Sequence, residues 1–191
     1  MPAEAEAHAV PGQVDPIEQH IRAGNHREAV ALCARHHAGS LGRLCMAMLG
    51  SQAEAEEIVQ ETLIAAHDAM GSWRGEGSIR SWLSGISRHL CARRIEMRVR
   101  QERRLRLVHD AAAETGLPED LVEARRRALR VRDALDRLKP SERDALVLRY
   151  EGGLSFREIG IACGLDEATA RKRASRALAR LRDLLKDEGG R

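Results

Sequence analysis

The chain has 191 residues, enough for one ordinary domain or two small ones, with a formal net charge of +3. Aromatic residues make up 2% and charged residues 32%. Abundant Ala, Leu, Arg and Glu with so few aromatics predict an all-α protein with small cores. No apolar run reaches the length of a membrane span, so membrane insertion is not expected. Cys33, Cys45, Cys91 and Cys163 are scattered with no C-x-x-C pair, which points to buried reduced thiols and a cytoplasmic setting.

Residues 1–14 are acidic and lack the basic and apolar regions of a signal peptide, so a disordered tail is expected. Asp15 then caps a short helix that has Pro16 at its first position. Helical spacing resumes from His26 to Leu49, weakened at Gly39 and Gly42, which leave room for a kink. Ser51-Gln52-Ala53-Glu54 reads as a capping box for the next helix. Ala55, Ile58, Val59, Thr62, Leu63, Ala66 and Met70 form the core stripe of that helix. Glu54, Glu57, Glu61 and Asp68 lie on its other face, which reads equally as a solvated face or a protein-docking face.

The loop Gly71–Ser78 holds Trp73 and Arg74 among glycines. It has the equipment to stack on an unpaired base, although inward packing of Trp73 fits as well. Ser78 caps a long helix whose buried stripe runs Ile79, Trp82, Leu83, Ile86 and Leu90. Its flank is basic: Arg88, His89, Arg93, Arg94, Arg98 and Arg100.

Residues 101–120 are charged, with Gly116 and Pro118, and read as a linker between a domain at 15–100 and one at 121–187. Leu121, Val122, Leu129, Val131, Leu135 and Leu138 predict the second domain's first core stripe. Ser141, with Asp144 three residues on, predicts a capped helix that buries Ala145, Leu146, Leu148 and Tyr150. Ser155 and Glu158 make a capping box, Gly164 ends that helix, and Asp166 caps a last helix bearing Arg171, Lys172, Arg173, Arg176, Arg180 and Arg182. This is the pattern of a helix-turn-helix with a basic recognition helix.

Basic residues crowd 88–106 and 171–182 while 51–61 is acidic, which suggests one face for nucleic acid and another for a protein. Cys33, His36 and His37 have helical ligand spacing, but a core Cys beside surface His residues is the stronger reading, so neither metal nor other cofactor is expected. There is no phosphate-binding glycine loop and no Ser/His/Asp or paired-carboxylate constellation, so the chain is not expected to be an enzyme.

Two blocks resemble a known family. LGSQAEAEEIVQETLIAAHDAMGSWRGEGSIRSWLSGISRHL resembles the second conserved region of the extracytoplasmic-function (ECF) sigma factors, the smallest group of the sigma-70 family. The helix-turn-helix, with LDRLKPSERDALVLRYEGGLSFREI before it, resembles their fourth region. The resemblance implies a non-enzymatic factor that binds core RNA polymerase, at its β′ clamp helices and β flap, and directs it to promoter DNA. It also makes an anti-sigma partner expected. It implies that Glu57, Gln60 and Glu61 dock on polymerase, with Glu57 where Asp is usual.

For the −10 element it implies Trp73, Arg74 and Ser78 in the loop and Arg88, His89 and Arg93 on the following helix, His89 standing where many relatives have Asn. For the −35 element it implies Thr169, Arg171, Lys172, Arg173, Ser175 and Arg176. Gly160 and Ala170 replace the family's usual Ala and Val, and a second domain weakened on the ~1 kcal/mol scale of a helical Gly is expected. The rival reading is a stand-alone helix-turn-helix regulator that binds duplex DNA without polymerase.

Overall fold

The protein is described by a computed structural model over residues 15–105 and 119–189. The described residues form eight α-helices and no strand: α1 (Pro16–Arg22), α2 (His26–Leu49), α3 (Gln52–Ala69), α4 (Ile79–Leu105), α5 (Glu119–Asp136), α6 (Pro140–Tyr150), α7 (Phe156–Cys163) and α8 (Glu167–Gly189). A single 3-10 turn, Met70–Ser72, follows α3. The expected tail at 1–14 and the middle of the expected linker, 106–118, lie outside the described residues.

The helix starts follow the local chemistry. Asp15 accepts from the Ile17 amide at 2.8 Å. Ser51 accepts from Glu54 at 3.3 Å, and Ser78 from Ser81 at 3.1 Å. Asp166 accepts from Thr169 at 2.8 Å. Around α7 both halves of the capping box form, and Gly164 ends the helix with a left-handed φ of 66°. Each such side-chain cap stabilises its helix by about 1 kcal/mol.

Several expectations need correction. Glu54 does not return to its cap; its carboxylate faces Arg98 at 3.4 Å. Ser141 does not cap α6. That helix starts at Pro140, whose fixed φ suits the first position, after Lys139 with no side-chain cap. Helix α2 runs unbroken through Gly39 and Gly42. Leu129 (52% exposed), Val131 and Tyr150 (60% exposed) are on the surface; among the described side chains of α5 Ala134 is the buried one, and Leu138 is buried just past the helix end. The α5 stripe is turned because it meets α6 and α8 through its last turns. Gly160 is no packing defect. A Cβ there would lie 2.7 Å from the Leu165 carbonyl oxygen, so the tight turn into α8 needs the missing side chain.

Three clusters make the core of the described residues. Ile17, Cys33, Leu41, Met70, Ile79 and Leu83 join α1 to α4. Ala134, Leu138, Leu146, Ala177 and Leu181 join α5, α6 and α8. The largest cluster crosses between the two halves of the chain, with Leu44, Met48, Ile58 and Cys91 packed with Leu148, Leu154, Ile159 and Ala170. Burying a Leu or Ile contributes about 1.5–3 kcal/mol, so a cluster of this size closes the two halves on each other.

Candidate nucleic-acid and protein interfaces

Three surfaces hold the predicted site residues. On α3, Glu57, Gln60 and Glu61 are all exposed, one helical turn apart on one face. Arg94 of α4 reaches across to them, donating to Glu57 at 2.8 Å and to Glu61 at 3.2 Å. Arg94 and Arg98 therefore leave the basic row that the α4 sequence suggests and pair with the acidic face beside them. The Glu57 and Glu61 side chains stay 61% and 49% accessible, so their outer lone pairs remain open to a partner's cations.

The second surface is the loop before α4 and the helix itself. Arg74, His89 and Arg93 are exposed. Trp73 is half-buried against the α1–α4 core, its ring 6.1 Å from that of Trp82. Its indole nitrogen is buried with no hydrogen-bond partner. Inward packing thus holds one side of the ring. Ser78 and Arg88 point elsewhere. Ser78 donates to Glu158 of α7 at 2.5 Å, and Arg88 donates to Asp144 of α6 at 3.1 Å. Arg80, between them, donates to the Gly152 carbonyl at 2.5 Å. Two of the six residues expected at this surface are therefore occupied by the other half of the chain.

Glu158 is shared. One carboxylate oxygen accepts from the amide and hydroxyl of Ser155 at the start of α7, at 2.9 and 2.8 Å, while the other takes Ser78 at the start of α4. Burial pushes its pKa up, but the hydrogen bonds from Ser78 and Ser155 outweigh it and hold the carboxyl below its usual range. Asp144 differs: burial outweighs the attraction of Arg88 and Arg143 and raises it.

The third surface is the first half of α8. Arg171, Lys172, Ser175 and Arg176 are exposed and line one shallow concavity of about 520 Å³. Their i, i+1, i+4, i+5 spacing puts three cations and a hydroxyl on one stripe. Thr169 is half-buried, and its hydroxyl donates to Asp166 at 2.6 Å, so its oxygen can only accept from a ligand. Arg173 is half-buried and does not line the concavity.

Sequence reasoning missed a groove of about 1200 Å³ between α2, α3 and α5, lined by Gly42, Met46, Val59, Gln60, Val131 and Leu135 among others. Its one signal was Leu129 and Val131 set among arginines, which read as core. Cys33, Cys45 and Cys91 are buried free thiols and Cys163 is half-buried. Burial pushes the Cys33 thiol up to about 11. No group of three or more potential metal ligands occurs among the described residues, and Cys33, His36 and His37 do not form one. No helix of the described residues is long and apolar enough to cross a membrane.

Comparison with known proteins gives the family. Residues 33–104 match the model for sigma-70 region 2, and residues 128–181 match that for sigma-70 region 4. The chain is 33% identical over 153 residues to the ECF RNA polymerase sigma factor SigE of Mycolicibacterium smegmatis, covering 79% of this chain and 59% of that protein. It thus spans about three fifths of that relative's length. It is 30% identical to EcfG of Rhodopseudomonas palustris, covering 78% of this chain and 81% of the relative. It is 31% identical to SigM of Mycobacterium tuberculosis, covering 81% of this chain and 75% of the relative.

The fold is similar to that of the sigma factor RpoE solved with the anti-sigma factor NepR from Bartonella quintana, with a TM-score of 0.61, 23% identity and coverage of 85% and 97%. It is also similar to CnrH solved with the cytosolic domain of CnrY, with a TM-score of 0.63, 22% identity and coverage of 90% and 96%. Both sigma-70 regions are present in order, and relatives near 30% identity align over most of their length, so the chain belongs to the ECF RNA polymerase sigma factors of the sigma-70 family.

Proposed function

We propose that this chain directs core RNA polymerase to specific promoters and starts transcription there, as a cytoplasmic, non-enzymatic initiation factor. Residues 15–100 form the unit that binds polymerase and the −10 element, and residues 121–187 the unit that binds the −35 element. Glu57, Gln60 and Glu61 dock on cationic residues of the polymerase β′ clamp helices, and the second unit meets the β flap. Arg171, Lys172, Ser175 and Arg176 enter the major groove at −35, where Arg and Lys can satisfy guanine O6 and N7. Thr169 and Arg173 flank them toward the phosphates. Trp73, Arg74, Ser78, Arg88, His89 and Arg93 take the −10 element as it melts. Extruding a base there costs a few kcal/mol of stacking, which a pocket beside an aromatic ring offsets.

The observation that supports this reading best is the open cationic stripe on α8 in a chain that also presents the exposed acidic face on α3. A stand-alone regulator needs only the first. Because Ser78 and Arg88 are bound to α7 and α6, contact with −10 DNA requires the two units to separate, and binding to polymerase supplies the energy. Tethering both units to one polymerase raises the effective concentration of the second DNA contact. An anti-sigma partner belongs to the same reading, supported by the two sigma–anti-sigma complexes of similar fold and by the open apolar groove beside Gln60.

The test is direct. Glu61→Lys should weaken binding to core polymerase at least tenfold while leaving the circular dichroism melt unchanged. Unchanged affinity for core would remove the docking assignment.

A further inference from the structure

We infer that Phe156 is a positioning residue for −35 recognition: its ring holds the Arg171 guanidinium in place while the N–H groups of that guanidinium pass from Glu167 to a base. The inference rests on the reading that Arg171 addresses a base edge. Phe156 is the only phenylalanine in the chain. It opens α7 and is half-buried against the core cluster shared by the two halves, so its backbone and one part of its ring are fixed. The Arg171 guanidinium carbon lies over the ring, 5.2 Å from its centroid. A second guanidinium, Arg149, lies 4.9 Å from the same centroid. Arg149 is itself anchored, donating to the Leu154 carbonyl at 2.8 Å, so it holds the ring beside the turn that leads into α7.

The Arg171 side chain is 63% accessible. An arginine that open samples many rotamers and loses that freedom when it binds a base. Guanidinium chemistry separates two kinds of contact. The flat face stacks on an aromatic ring, and the fork of N–H groups at the edge makes the directed hydrogen bonds. In the free chain the edge is used by Glu167, which accepts from Arg171 at 2.7 Å. A guanine edge with two acceptors is a better match to the fork than one carboxylate oxygen, so DNA takes the edge from Glu167. The contact of the guanidinium with the Phe156 ring need not change in that exchange. The ring therefore presets the direction in which Arg171 approaches the groove.

The experiment uses the full chain with core polymerase and a promoter set in which each −35 base pair is varied in turn. Arg171→Ala first identifies the base pair whose preference it relaxes. Phe156→Leu, which keeps an apolar side chain in the core but has no π face, should then reduce discrimination at that same pair by about 2- to 5-fold, the worth of an exposed cation–π contact. Phe156→Trp should restore it. Core-polymerase affinity should be equal in both variants. The inference is overturned if Phe156→Leu keeps full discrimination, if it loses activity equally at every −35 position, or if Phe156→Trp fails to restore the preference. If Arg171→Ala relaxes no base pair, the reading of Arg171 falls and Phe156 loses its role with it. Relaxation by Arg171→Ala without any effect of Phe156→Leu sinks only the role of the ring.

Discussion

The two surfaces proposed for DNA are built on helices of similar length and similarly rich in arginine and lysine, yet they stand in different states. On α8, Arg171, Lys172, Ser175 and Arg176 face solvent together. On α4, Arg88 is tied to Asp144, Arg94 to Glu57 and Glu61, and Arg98 to Glu54, which leaves His89, Arg93 and Arg100 exposed. The same residue type stays open to solvent in one place and serves internal cohesion in the other. What decides is the neighbour. Helix α4 lies against α3 and α7, and its Arg88 reaches Asp144 of α6, whereas the outer face of α8 has no helix over it among the described residues. A basic run in a sequence therefore gives the number of cations available and not the number free to meet phosphate.

The difference can be broken or sharpened by substitution. The largest effect is expected at the open surface: Arg171→Ala should cost about 1–3 kcal/mol at cognate promoters if the side chain reads a base bidentately. The loss should vanish on promoters with scrambled −35 elements. At the junction between the surfaces, Glu158→Ala should lower stability by about 1–2 kcal/mol in urea unfolding, since it removes a helix cap and the bond to Ser78 together. Ser155→Ala removes the cap hydroxyl alone and should cost less. Equal losses would mean that the Ser78 bond adds nothing between the halves. At the covered surface, Arg93→Ala should weaken binding evenly across promoter sequences and reduce the salt slope by about 1, the signature of a single phosphate contact.

The smallest effect is a pH dependence with two limbs of opposite sign. Asp144 is raised in the folded chain, mainly by burial, so its ionised form costs stability at neutral pH. That cost is relieved as pH falls through its raised value toward the ordinary carboxylate range. Glu158 is held below its ordinary value, so its contribution is full above that value and is lost as pH falls through the depressed one. Urea midpoints should therefore rise slightly on mild acidification and then fall. Asp144→Asn should abolish the rise and keep the fall.

Much of this was legible in the sequence because it is local. The caps at Asp15, Ser51, Ser78, Ser155 and Asp166 and the stop at Gly164 involve neighbours two to four residues away. The stripe on α8 follows from helical spacing alone. What the sequence hid is long-range. Nothing in the spacing of Ser78 or Arg88 indicates partners 80 and 56 residues downstream. The rotation that exposes Leu129 and Val131 is set by where α5 meets α6 and α8, which periodicity within one amphipathic helix leaves open. The role of Gly160 is hidden for the same reason. Its missing side chain matters because of a carbonyl five residues on, folded back over it by the turn.

The most direct measurement is transcription by core polymerase from a library randomised across the promoter, with the wild-type chain, with Arg171→Ala and without any factor. Addition of the wild-type chain should enrich promoters with two separated sequence blocks, and Arg171→Ala should blur one position of the upstream block while leaving the downstream block intact. Enrichment of a single block, or equal transcription with and without the chain, would contradict a factor that grips promoters at two points.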